Sequence, residues 1–162
     1  MRRSTAAVAR ATVLIAALMT VVTLATAGFA GDHSFRGKET IKIFATKPGP
    51  WHAKVTAKGA FTAKGYFVHH RAWLVFPKGR LAVHRKVVST SYSPPNLSTC
   101  WFKSRQSGTF RVFYATGRYK GLRYSGQYWT NISGRLKKSG QNQCTSKIVV
   151  YRAVTYEVGT IP

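Results

Sequence analysis

The chain almost lacks acid. Against 26 Lys and Arg it carries three carboxylates, Asp32, Glu39 and Glu157. A retaining or inverting glycosidase needs two facing carboxylates. A hard-cation site needs several oxygen ligands, and a Ser-His-Asp arrangement needs an acid held on a rigid scaffold. Asp32 and Glu39 fall in a polar stretch expected to be loosely held, so the chain can hardly supply any of these. The same shortage leaves most of the cations without an ion-pair partner in their own fold. Solvent, counterions or a ligand must serve instead.

Cysteine is nearly absent too, at positions 100 and 144 only. In an exported protein an isolated pair reads as one disulfide, Cys100–Cys144. It encloses 45 residues counting both ends. Two free thiols with a catalytic role are the alternative, and no His lies within fifteen residues of either. Helical periodicity is missing after residue 31: no window shows apolar residues at i, i+3, i+4 and i+7. No pattern asks for a cofactor.

What is present begins at the N-terminus. Arg2, Arg3 and Arg10 precede an uncharged apolar run, Ala11 to Ala27, and two small-residue cleavage options follow, after Ala27 or Ala30. That is the layout of a secretory signal peptide over residues 1–30. With 17 residues, the run is at the lower limit for a membrane anchor, which is the alternative. Removal would leave about 132 residues, one domain with length enough for its own core. Three of the cations and none of the acids fall in the signal, so the net charge of +23 drops only to +20. A field of that size attracts polyanions: a cell-envelope polymer, nucleic acid or an anionic lipid surface. A generically basic, solubilising surface would look the same.

Residues 31–39 (GDHSFRGKE) read as a flexible leader, and residues 40–162 as the folded domain. Short segments of period-two alternation follow, separated by Gly and Pro. They cover Ile41–Ile43, Gly59–Val68, Ala72–Phe76, Leu81–Tyr92, Cys100–Lys103, Thr109–Tyr114, Arg123–Ile132 and Ile148–Val158. About eight strands at this spacing predict an all-β fold, a single antiparallel β-barrel, with a β-sandwich as the alternative. Phe110, Val112 and Tyr114 should share one face, as should Tyr124, Tyr128 and Ile132. The segment Ile148–Val158 is apolar on both faces, so it should be covered twice or line an apolar cavity.

Gly117-Arg118-Tyr119-Lys120-Gly121-Leu122-Arg123-Tyr124-Ser125-Gly126-Gln127-Tyr128 resembles the glycine-punctuated hairpin of the allene-oxide-cyclase-like and dirigent-like barrels. The resemblance covers about 25 residues and extends to small secreted bacterial β-barrel proteins. It implies an eight-stranded antiparallel barrel with a small hydrophobic cavity. The acids on which the plant members rely have no counterpart in the core except Glu157, so no catalytic residue is carried over.

His69 and His70 are neighbours, and on a strand they would face opposite ways. His52, His69 and His84 could share a metal only if the sheet gathered them, so no metal site is assigned. Asn96-Leu97-Ser98 and Asn131-Ile132-Ser133 match the glycosylation triplet by chance, since the Ala-rich signal resembles bacterial ones. Four Trp, eight Tyr and nine Phe serve either core packing or an aromatic platform beside cations. The platform residues would be Arg118, Tyr119, Lys120, Arg123, Trp129, Arg135, Lys137 and Lys138. Two functional readings follow. One is a non-catalytic secreted barrel binding an anionic partner. The other is a barrel that binds or isomerises a small hydrophobic ligand in an apolar cavity.

Overall fold

The computed structural model describes residues 35–48, 53–68 and 71–162. The expected signal peptide, its cleavage sites and Asp32 lie outside the described residues. Eight strands follow in order: β1 (Gly37–Ala45), β2 (Ala53–Gly59), β3 (Ala63–Val68), β4 (Trp73–Phe76), β5 (Gly79–Ser93), β6 (Trp101–Ala115), β7 (Tyr124–Gly140) and β8 (Gln143–Ile161). Each pairs antiparallel with the next, and β8 returns to β1 to close the ring. Closure leaves no edge strand exposed, which decides barrel over sandwich. The helical content of the described residues includes a 3₁₀ turn over Gly117–Tyr119.

Alternation along each strand builds the interior. Ile41 and Ile43 on β1, Val55 on β2, Leu74 on β4, Leu81 and Val83 on β5, Phe110 and Val112 on β6, and Tyr124 and Tyr128 on β7 are buried. Each such full burial stabilises the fold by roughly 1.5–3 kcal/mol. Phe61, Phe76 and Tyr119 plug one end of the barrel, their ring centroids 5.0 to 5.9 Å apart. The long strands β5 to β8 continue past the opposite end. There Cys100 and Cys144 form the expected disulfide, with Cα atoms 5.6 Å apart.

Several expectations need correction. Glu39 is no loose leader residue. It lies on β1, fully buried, and its Oε2 accepts a hydrogen bond from the Phe61 amide at 3.0 Å. Residues 37–39, assigned to the leader, are therefore strand. The strand count is right through two compensating errors. Residues 53–59 form a strand whose inward side chains, Ala53, Val55 and Ala57, are too small to signal hydrophobic alternation. Residues 101–103 and 109–114 belong to one continuous strand. The single strand segment expected from Gly59 to Val68 is broken: β2 ends at Gly59, a turn follows, and β3 starts at Ala63.

Tyr114 leaves the face of Phe110 and Val112 and is exposed, while Ala115 is buried in its place. A β-bulge explains the change: Ala82 pairs with Tyr114 but Val83 pairs with Val112, so Phe113 is an extra residue that reverses the alternation beyond it. The glycines divide by role. Gly117 has φ of +62° and serves the turn. Gly126 has ordinary extended backbone and serves closeness: a Cβ there would stand 2.0 Å from the Val158 carbonyl oxygen.

Candidate functional site

Both acids among the described residues are inside the barrel. The outer surface of the described residues is consequently cationic without local compensation, and one cationic stretch of it is the outward face of β6, β7 and β8. The register sets the rows. Lys42, Tyr156 and Trp129 are successive cross-strand partners, followed one step along by Phe44, Val154, Asn131 and Arg105. A further step brings Arg152, Ser133 and Lys103, and the next Val150, Arg135 and Trp101. Consecutive rows are about 6.6 Å apart, and strands about 4.8 Å.

Aromatic and cationic groups meet across these rows. Trp129 stacks on Tyr156 at 5.5 Å between centroids and 24° between planes. Lys42 Nζ lies 5.6 Å from the Tyr156 ring, and the Arg152 guanidinium 5.6 Å from Phe44. Beside the stack lies an open concavity of about 470 Å³ whose lining includes Lys103, Arg105, Arg152, Asn131, Ser133 and Tyr156. A second, of about 600 Å³, adjoins it towards the disulfide and is lined by Arg135, Lys137, Lys138, Val149 and Trp101 among others. The Trp101 side chain is 43% exposed there. Lys138 Nζ donates to the Ser98 carbonyl at 3.0 Å, which tethers one rim.

The expected platform residues do not form one cluster. Arg118, Lys120 and Arg123 are exposed on the β6–β7 connection at the plugged end. Arg135, Lys137 and Lys138 are at the far end of β7, on the order of 40 Å along the strand. Trp129 stands between them on the outer face. Tyr119 is buried in the plug, against Phe61 and Phe76, and cannot stack on a ligand. Its turn position suggested exposure; the 3₁₀ turn instead points it inward. Lys42, Lys103, Arg105, Arg152 and Tyr156 went unnoticed in the sequence because their only signal is cross-strand register.

The interior holds a second arrangement. Towards the end that carries the disulfide, the barrel opens into a cup of about 290 Å³ lined by Ile43, Phe67, Arg85, Gln106, Thr130 and Tyr151 among others. The two-faced apolar character of Ile148–Val158 has its answer here: Tyr151 and Ala153 line the cup, while Val154 and Tyr156 face outward. Arg85 Nε donates to Glu157 Oε1 at 2.6 Å, with Nη2 at the same distance. The Phe67 ring lies 4.7 Å from the guanidinium. Burial pushes the Glu157 carboxyl above the usual carboxylate range, and Arg85 pulls it partly back. Burial likewise raises the Tyr124 phenol, with Glu157 adding to the effect.

No protein-family model, curated protein or solved structure matches the chain. Among the described residues no three of His, Cys, Asp and Glu gather as metal ligands. His52, His69 and His70 lie outside the described residues, and His84 is exposed on the outward face of β5. No helix among the described residues is long and apolar enough to cross a membrane. The glycosylation-like triplet at Asn96 has a structural use: its Oδ1 accepts hydrogen bonds from Ser98 N, Ser98 Oγ and Thr99 N, which shapes the β5–β6 loop.

Proposed function

We propose that the protein is a secreted, non-catalytic β-barrel that binds an extended anionic polymer along the outward face of β6, β7 and β8. One observation carries this reading. The described acids are both internal, so the row-by-row cations of that face have no neighbouring carboxylate to neutralise them. Arg105 and Lys103 stand one row apart on β6, about 6.6 Å, and Arg152 and Lys103 flank Ser133 at about 9.6 Å. Such spacings suit repeating charges on a flexible chain. The Trp129–Tyr156 stack offers a flat surface to rings of a sugar or base. A disulfide is compatible with an oxidising extracellular setting, where a cell-envelope polymer is the nearest polyanion.

Retention on immobilised wall polymer, DNA and anionic vesicles across a salt series tests the proposal. Log affinity should fall linearly with log salt. A variant with Lys103, Arg105 and Arg152 changed to Gln should flatten that slope by about two to three contacts. A control variant with Arg118, Lys120 and Arg123 changed to Gln, at the plugged end, should keep it. Salt-insensitive binding, or equal losses in both variants, would remove the outer face from consideration.

A further inference from the structure

The outer face leaves the cup unexplained, and its chemistry differs. Arg85 and Glu157 belong to β5 and β8, strands that are not neighbours, so the pair spans the interior. Glu157 is fully buried and is not part of the cup wall; the Arg85 side chain retains 23% exposure and is. The carboxylate therefore holds the guanidinium by its Nε and Nη2 edge, and Phe67 covers one of its faces. A guanidinium has five N–H donors in a rigid fork, so donors remain for a group in the cup. Gln106 Oε1 is engaged by the Tyr128 hydroxyl at 3.5 Å, which leaves its amide NH₂ as a donor. Lys47 adds a further donor group, and no carboxylate is among the described lining residues. The side-chain acceptors left are hydroxyls that can also donate: Tyr151, and Thr130 and Thr155, which bond each other at 2.7 Å. Ile43, Ala45, Ala53, Ile132 and Ala153 supply apolar wall.

We propose that the cup binds a small organic acid, a carboxylate on a compact apolar body, with Arg85 as its anchor. The asymmetry of donors over acceptors selects an anionic or acceptor-rich head. The alanine and isoleucine walls take the body, and a volume near the lower end of ligand pockets limits its size. Arg85 forms charge-assisted hydrogen bonds to the carboxylate, and Lys47 compensates the charge that Glu157 already offsets on Arg85. Glu157 is a positioning residue in this arrangement.

Calorimetric titration of the purified protein with benzoate and hexanoate, against benzamide and benzylammonium, tests the assignment. Benzoate or hexanoate should saturate one site, with the neutral and cationic analogues at least about tenfold weaker. Ala153→Leu, which fills the cup without touching a charge, should weaken acid binding by about tenfold or more. The double variant Arg85→Met, Glu157→Met removes both charges together, so the fold is not left with one buried alone, and it should abolish the preference for acid over amide. The outer-face triple variant should bind the acids unchanged, which separates this site from the polymer surface. Absence of saturable acid binding, equal binding of benzamide or benzylammonium, or acid binding unaffected by Ala153→Leu would overturn the proposal.

Discussion

Arg85 and Glu157, 72 residues apart in sequence, meet inside the barrel at 2.6 Å. The pair links β5 to β8 across the interior and divides it into a packed half and a cup. Its contribution is conditional. Two opposite charges taken out of water cost about as much as their attraction returns, while one left alone is heavily penalised. Urea denaturation should show Arg85→Met destabilised by roughly 3–5 kcal/mol, because Glu157 is stranded. The double variant Arg85→Met, Glu157→Met should be far closer to wild type. A double variant as unstable as the sum of the singles would show that the pair is not coupled.

Stability should fall as pH rises through the weakly acidic range. Burial lifts both Glu39 and Glu157 above the ordinary carboxylate value of 4.5. The folded protein then holds these protons more tightly than the unfolded chain. That stabilisation is complete below about pH 4.5 and is lost as pH rises through the lifted values. General charge repulsion acts alike on the wild type and on Glu39→Gln, so the difference between them isolates the carboxyl. The urea midpoint should therefore decline from pH 4.5 upward, and Glu39→Gln should flatten the decline. A Glu39→Gln midpoint that changes with pH as the wild type does would contradict the assignment.

Loss of the disulfide should be felt locally first. It joins the start of β6 to the β7–β8 tip, beyond the end of the packed core. Cys100→Ser with Cys144→Ser should cost roughly 3–4 kcal/mol by the loop-closure model. Hydrogen exchange should accelerate around residues 94–101 and 137–147, while the aromatic plug at Phe61 and Tyr119 stays protected. Uniform loss of protection would show that the tip and the core unfold together.

Trp129→Ala separates stacking from charge. Against a polymer with flat rings the variant should lose roughly 1–3 kcal/mol of affinity, with the salt slope intact. Against a ringless polyphosphate it should lose little. Binding assays on the two polymers at matched salt decide between them.

Gly117→Ala should destabilise the barrel by well over the roughly 1 kcal/mol of a simple glycine replacement. The residue has φ of +62°, and an added Cβ would stand 2.2 Å from the Lys78 carbonyl oxygen. Thermal melts should show the drop. Gly121→Ala makes the useful contrast, since φ is +85° there but the space is open, so only the backbone cost applies.

The strands were legible wherever their inward residues are large and apolar. Ile41 and Ile43, Leu81 and Val83, and Tyr124 and Tyr128 announce their faces. The sequence was silent where the interior is small or polar. Ala53 and Ala57 hid β2. The stretch Ser104 to Gly108 split β6 in two because its inward residues, Ser104, Gln106 and Gly108, are not hydrophobic; Gln106 lines the cup. A break in alternation was thus the mark of a polar inner face within a strand.

The sequence by itself determined the all-β class, the single disulfide and the excess of positive charge, because period-two alternation, a lone cysteine pair and a count of charges are local or additive properties. Only the tertiary structure decided where the charges stand. Closure of the ring sent Glu39 and Glu157 inward and brought Arg85 across to Glu157. Register, fixed by hydrogen bonding between strands and shifted by bulges, aligned Lys103, Arg105 and Arg152 from two strands, and the 3₁₀ turn carried Tyr119 into the plug. Neighbourhood across a sheet depends on pairings between residues far apart in the chain, which the spacing of residues along it does not contain.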